Sequence, residues 1–596
     1  MIRGRIAAAA VLVSLVAAGG GAEAQQPAAS TCAPGGPAVV LEGTATQDDV
    51  GTYRMVPVEV AAGTTRVEVG YEWSDQEPAV PSTPLTQSVV DLGLWDADGQ
   101  GTVAGFRGWS GSRQGRTAAG QDPVFVQADA ADRGYAPGPI EPGTWWVALG
   151  SAAAGRSGRR SAATVTCLDP LVGPAPTHDP VDAAHVADPD RDWYAGDFHM
   201  HGFHSSPAGP GWDELVGHAR AAGLDFLPIT EYVTVRHHGE LGSVQRANPD
   251  LVIWPSREVI TYAGHATVFG ETPSVAEHRH GHEGITLGGI QAASVADGAL
   301  FGVAHPTIFP GPLFANFCRG CEFRLGEDID WSAVHTMEVL TGPILVDDSQ
   351  LGGPGVPAQI QNPFVESAID LWESRLLAGD RITAVSGSDD KAGPDLGSSA
   401  TLVLADGLSR PALIAAIRGG RAYVQTRGVA ASPTLDVVAR GADGTVGGIG
   451  DVLATDRADI EVTVTGGRDQ LLRVTRDGDV VGVVPITADP FTHVIDATTV
   501  PGSGPLGTFW RVDTADAQSL TTIANPVFLA PRTTGPSPAP PGPREPTTPD
   551  AAEGPRGASD PGDTIAATGG GGLGVAPIVL GALGIALLIL LRSRMR

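Results

Sequence analysis

The stretch Gly196-Asp197-Phe198-His199-Met200-His201 decides how this chain is read. In an extended strand, residues two apart point to the same face, so both imidazoles can reach one metal ion. Thirteen of the 15 histidines fall between His185 and His335. Ligand chemistry is therefore concentrated in the middle of the chain.

Working outward, other ligand types stand where apolar strands end. Glu258 lies in Trp254-Pro-Ser-Arg-Glu258-Val-Ile, and His265 follows seven residues on. His305 closes Phe301-Gly-Val-Ala-His305, and Asp389 follows Ala384-Val-Ser-Gly-Ser. This mixture of imidazole and carboxylate suits Zn²⁺, Mn²⁺ or Fe²⁺. Between these points strands alternate with helices. Trp212 to Ala222 is amphipathic, with Asp213 and Glu214 in its first turn and Gly223 as a stop. The apolar strand Leu224–Thr230 follows, and Pro411 to Arg418 is a late helix of the same kind. Such alternation predicts a parallel sheet or barrel whose ligands gather at the C-terminal ends of strands.

The flanks read differently. Residues 1–24 resemble a secretory signal, with Arg3 and Arg5 before an apolar run and Ala22-Glu-Ala24 as a small-residue cleavage site. Residues 27–175 carry short β-branched and aromatic runs between Gly, Pro and Asp turns, which predicts a β-sandwich-like domain. The central domain spans 186–428, and 430–530 returns to strands as a C-terminal β domain. A Pro-rich spacer covers 531–563. In 564–596, Thr564-Ile-Ala-Ala-Thr-Gly569 resembles a sortase sorting signal. It precedes a 19-residue apolar run, Leu573 to Leu591, long enough for a transmembrane helix, and then Arg592, Arg594 and Arg596. Either anchor, membrane or cell wall through a sortase, places the protein on the extracellular face of the cell.

Export permits disulfides. Four cysteines allow three connectivities, of which Cys32–Cys167, flanking the first domain, and Cys318–Cys321 are the economical pair. The formal charge of −29 argues against nucleic acid as a partner. Of 38 basic residues only Lys391 is a lysine, in a chain whose bias elsewhere is wholly towards arginine. An alternating His278, His280, His282 run reads as a surface loop.

The order of these motifs resembles the PHP (polymerase and histidinol phosphatase) superfamily, particularly its secreted, carbamate-hydrolase-like branch. The resemblance runs from Gly196-Asp-Phe-His-Met-His201 to Tyr423-Val-Gln-Thr426. It implies a multidomain protein with a distorted seven-stranded (β/α) barrel, flanked by N- and C-terminal β-sandwich-like domains. It also implies that His199, His201, Glu258 and Asp389 hold one ion, while His265 and His305 share Glu258 to hold a second. The family's third site maps onto Ser206, Tyr232 and Lys391, none of which matches its ligands. Two divalent ions (Zn, Mn or Fe) are expected, with the Lys391 ammonium supplying the third positive charge. Pairing of Lys391 with Glu231 or Asp390 is the alternative, and His204 is the candidate to rebuild a third site.

A binuclear centre can hold a bridging hydroxide and polarise a substrate oxygen. Asp225 is the candidate for handling the proton, and Tyr232 for touching substrate. The expected function is a surface hydrolase acting on a small phosphoester. A carboxylic or carbamate ester hydrolase on the same centre is the near alternative. A non-catalytic surface-binding protein with a degenerate barrel is the distant one.

Overall fold

The computed structural model describes residues 30–531, apart from 76–88, 115–122, 155–158, 207, 271–272, 312–317, 348–356 and 361. The signal-like segment 1–24, nearly all of the spacer, the sorting-like motif and the apolar run 573–591 lie outside the described residues. No helix among the described residues is long and apolar enough to cross a membrane. The chain is multidomain and mostly β, built from several sheets.

In the first region, a five-stranded and a four-stranded sheet share one core that includes Val58, Trp73, Leu92, Trp145 and Val165. Alternation does this work: in Tyr53–Val60 every second residue from Val56 on is buried. Cys32 and Cys167 form a disulfide with Cα atoms 5.5 Å apart, tying the two ends of the region together. Cys318 and Cys321 form the second.

The central strands are β1 (Val186–Gly196), β2 (Phe226–Ile229), β3 (Val252–Ile260), β4 (His265–Phe269), β5 (Leu300–Val303), β6 (Thr336–Thr341) and β7 (Thr383–Gly387). They pair in that order. Helices α1 (Trp212–Ala222), α2 (Leu241–Ala247), α3 (Leu287–Ala296) and α4 (Val365–Ala378) lie in the connections. Helix α1 buries Leu215, Val216 and Ala219 and ends at Gly223, whose φ of 74° supplies the left-handed cap. Strand β4 runs antiparallel to both β3 and β5. Its first residue, His265, therefore lies at the same rim as the C-terminal ends of its neighbours, opposite Ile260.

Beyond β1 the chain pairs with the end of β7. The Phe198 N–H donates to Ser386 O (3.1 Å), Asp389 N–H to His199 O (2.8 Å) and His201 N–H to Asp390 O (3.1 Å). This approach needs Gly387, because a Cβ there would lie 2.2 Å from the His199 Cβ and 2.6 Å from its backbone nitrogen. On its other side β1 pairs with β8 (Ala400–Ser409), then β9 (Ala422–Gln425), then β10 (Leu520–Ala524). The C-terminal strands thus continue the central sheet by hydrogen bonds rather than standing apart from it.

The first region grips the rim that carries the histidines. The Arg133 guanidinium donates to Ser205 O (2.6 Å) and Arg236 to Tyr135 O (2.8 Å). The Tyr262 hydroxyl donates to Asp91 (2.6 Å). Contrary to the surface-loop expectation, His278 is buried at 1% exposure, its ring stacked on Trp95 at 5.7 Å and edge-on to Trp109. Apolar rings from a distant part of the chain cover a segment that looks polar by itself.

Candidate metal centre

Each candidate ligand reaches the cluster from a strand end. His199 and His201 follow β1, Glu258 lies in β3, His265 opens β4, His305 follows β5 and Asp389 follows β7. On β3, Arg257 and Glu258 necessarily point to opposite faces. Glu258, 1% exposed, faces the histidines.

The two oxygens of Glu258 divide the cluster. Oε2 lies 3.3 Å from His199 Nε2 and 3.6 Å from His201 Nε2. Oε1 lies 2.9 Å from His265 Nδ1 and 3.3 Å from His305 Nε2. Asp389 Oδ1 completes the first group, 2.9 Å from His201 Nε2 and 3.4 Å from His199 Nε2. In each of the two groups one donor atom per residue lies within 4.8 Å of all the others.

Electrostatics favours the ligand forms of the carboxylates. Burial pushes the Glu258 carboxyl up, but His199 and His265 beside it hold it well below the usual range. Asp389 is held low in the same way by Lys391 and His199 against its burial. Burial lowers His199, yet Glu338, Glu258 and Asp389 together raise it well above the ordinary value. His199 Nε2 and Glu258 Oε2 are buried and make no hydrogen bond among the described residues. They face each other at 3.3 Å without a well-formed hydrogen bond, an arrangement that a bound cation would satisfy. Four imidazoles and two carboxylates therefore fit divalent transition ions.

The surrounding shell fixes these ligands. Glu338 Oε2 accepts from His199 Nδ1 (2.9 Å) and from the His305 backbone N–H (3.1 Å). Its Oε1 accepts from the Thr341 hydroxyl (2.7 Å). The sequence reading missed Glu338; its signal was a lone carboxylate within an otherwise apolar and threonine strand. Asp197 ties its own segment to both ends of the loop between β7 and β8 by accepting from the backbone N–H of His199 (3.0 Å), Ser388 (2.9 Å) and Gly397 (3.0 Å). Burial pushes its carboxyl up to about 6, with those donors opposing. Two ligands sit in left-handed backbone: His305 at φ 29° and Asp389 at φ 51°.

The other expected residues divide. Lys391 Nζ lies 2.6 Å from Asp389 Oδ1, so its partner is a candidate ligand rather than Glu231 or Asp390. Tyr232 packs on His201 at 4.1 Å between ring centroids and lies 5.6 Å from Lys391 Nζ. Trp109 of the first region meets Tyr232 edge-on at 6.4 Å. Burial pushes the Tyr232 hydroxyl up, so it stays protonated. Asp225 is not brought to the cluster. It precedes β2 and so lies at the opposite rim, its carboxylate accepting from the Ala195 N–H (2.8 Å). His204 is paired with Glu240 at 2.9 Å, and the Ser206 hydroxyl accepts from the Ala208 N–H. Neither joins the metal-ligand groups found among the described residues.

No family model matches the chain, and no curated protein matches it by sequence. Among solved structures, it is similar to a two-domain Bacteroides vulgatus protein containing a predicted PHP-like metal-dependent phosphoesterase. That match has 13% identity and a TM-score of 0.30, covering 59% of this chain and 99% of the other. It is also similar to PsfC from Pseudomonas syringae, with 15% identity and a TM-score of 0.25, covering 38% and 87%. A third is the lesion-specific endonuclease PfuEndoQ from Pyrococcus furiosus, with 15% identity and a TM-score of 0.26, covering 43% and 64%. All three TM-scores lie below 0.5, so the case for function rests on the side chains of this chain.

Proposed function

We propose that this protein is a metal-dependent phosphoesterase of the PHP type, with two divalent ions held on either side of Glu258. The observation that carries the reading is the division of that carboxylate, one oxygen toward His199 and His201 and the other toward His265 and His305. The seven strands β1 to β7, with the hydrogen bonds that lead from β1 back to β7, support the distorted seven-stranded barrel of that superfamily.

The bound ions would supply Lewis-acid activation of water and of a substrate oxygen. The chain's own residues do the rest. Glu338 holds the His199 ring through Nδ1, leaving Nε2 to face Glu258. Lys391 adds a compact positive charge suited to a phosphoryl oxygen. Tyr232, protonated, packs on His201. We place this activity outside the cell, a reading supported by the signal-like start, the apolar C-terminal run and the two disulfides.

The test is elemental analysis of protein purified without chelator, followed by assays with 4-nitrophenyl phosphate, bis(4-nitrophenyl) phosphate and 4-nitrophenyl acetate. Two ions per chain and turnover of a phosphoester support the reading. Turnover of the acetate alone moves the substrate class to carbonyl esters. A folded chain that binds no ion refutes the enzyme.

A further inference from the structure

The His265–His305 side of the cluster lies under a short segment that the proposed chemistry does not use. His265 Nε2 is 2.7 Å from the backbone oxygen of Arg319, inside the Cys318–Cys321 disulfide loop. That oxygen can only accept, so Nε2 carries the ring proton and Nδ1 is left to face Glu258. Gly320 makes the contact possible. Its φ is 84°, and a Cβ there would lie 2.1 Å from Thr261 O and 3.0 Å from His265 Nε2.

The same segment then crosses to the other histidine. The Phe323 N–H donates to Pro306 O (2.9 Å), next to His305, and the Arg324 N–H to Ala263 O (2.8 Å). Thr307 and Glu322 form an isolated bridge. Residues 318–324 thus touch His265 directly and are strapped to the residues that follow His305. On the other half, His199 and His201 are held by Asp197, Glu338 and the end of β7.

We propose that the Cys318–Cys321 loop is a redox-sensitive clamp on His265, whose reduction releases the ion on the His265–His305 side of Glu258 and spares the other. This rests on the two-ion reading above. Loss of an outer hydrogen-bond partner weakens a metal site by about 10–100-fold. Opening the loop frees the Arg319 carbonyl and removes that partner. The freed sulfurs and a His265 ring nitrogen lie within 4.8 Å of one another, so a thiophilic ion would be drawn to them. Mn²⁺, a harder ion, is the better probe.

The experiment loads the full-length protein with Mn²⁺, desalts it, and counts manganese before and after a trialkylphosphine. The phosphine takes an oxygen from water to become its oxide. The S–S bond breaks, and each sulfur ends as a thiol. We expect two ions to fall to one as the Cys318 and Cys321 thiols appear, assigned by alkylation and peptide mass spectrometry because the chain carries a second disulfide, Cys32–Cys167, with recovery on reoxidation. A Cys318→Ser/Cys321→Ser variant should hold one ion without reductant. Gly320→Ala, which keeps the disulfide but displaces the carbonyl, should do the same. Two ions retained after the Cys318 and Cys321 thiols appear would overturn the clamp. Loss of both ions would overturn its selectivity and make the loop a support for the whole site. No manganese in the oxidised wild type would overturn the two-ion reading and the clamp with it.

Discussion

The two halves of the cluster share Glu258 but are built from different materials. The His199–His201–Asp389 half is made where two parallel strands end side by side, and its fixings are buried. Asp197 ties its loops, Glu338 holds a ring, and Gly387 lets the backbones meet. The His265–His305 half begins an antiparallel strand and follows its neighbour, and its fixings include a short segment closed by a disulfide. One half is set by the sheet, the other by what is laid over the sheet. The first should survive perturbations that the second does not.

Glu258→Ala gives the largest expected effect, because it removes the oxygen facing each group. Metal content should fall from two ions towards none, with phosphoesterase activity at background. Retention of one ion would show that the halves are independent. Lys391→Ala should lower kcat by about 10²-fold, the scale of losing one charged stabilising group, with metal content unchanged by elemental analysis. Loss of an ion in that variant would make the lysine a support for Asp389.

Glu338→Ala should weaken the ion on the His199–His201 side by about 10–100-fold. The other side should weaken less, because Glu338 touches it only through a backbone N–H. A competitive chelator titration resolves the two. The smallest test lies on neither half. Burial holds His278 down to about 3, with Glu277 opposing. Its folded value lies below the unfolded one, so the stability it lends is present above about 6.5. That contribution is lost as pH falls from there towards 3, by about 1.4 kcal/mol per pH unit. Denaturant titrations at pH 7.5 and 5 should show this slope, and His278→Phe should flatten it while leaving both metal affinities alone.

Much of the cluster was legible because its ligands are marked by local chemistry. His199 and His201 share a strand face, and His305 and Asp389 each follow a short apolar run. Helix α1 was legible from its acidic first turn and Gly223. What escaped depends on partners far along the chain. Glu338 braces His199 from 139 residues away, and nothing nearby announces that. His278 is buried by Trp95 and Trp109 of the first region. The pairing of β9 with β10 joins stretches separated by a whole β region. Asp225 is a different case. A residue ahead of a strand belongs to the rim opposite the one its C-terminal end reaches, and strand direction alone was enough to set it aside.

The left-handed backbone at His305 and Asp389 sets the proposed chemistry against durability. Side chains there oppose their own preference, at about 1–3 kcal/mol each, a sizeable share of the stability of an ordinary domain. Glycine at either position would relieve that strain and abolish a ligand. A lineage released from its chemistry should therefore drift toward glycine at 305 and 389 first, growing hardier as it falls silent.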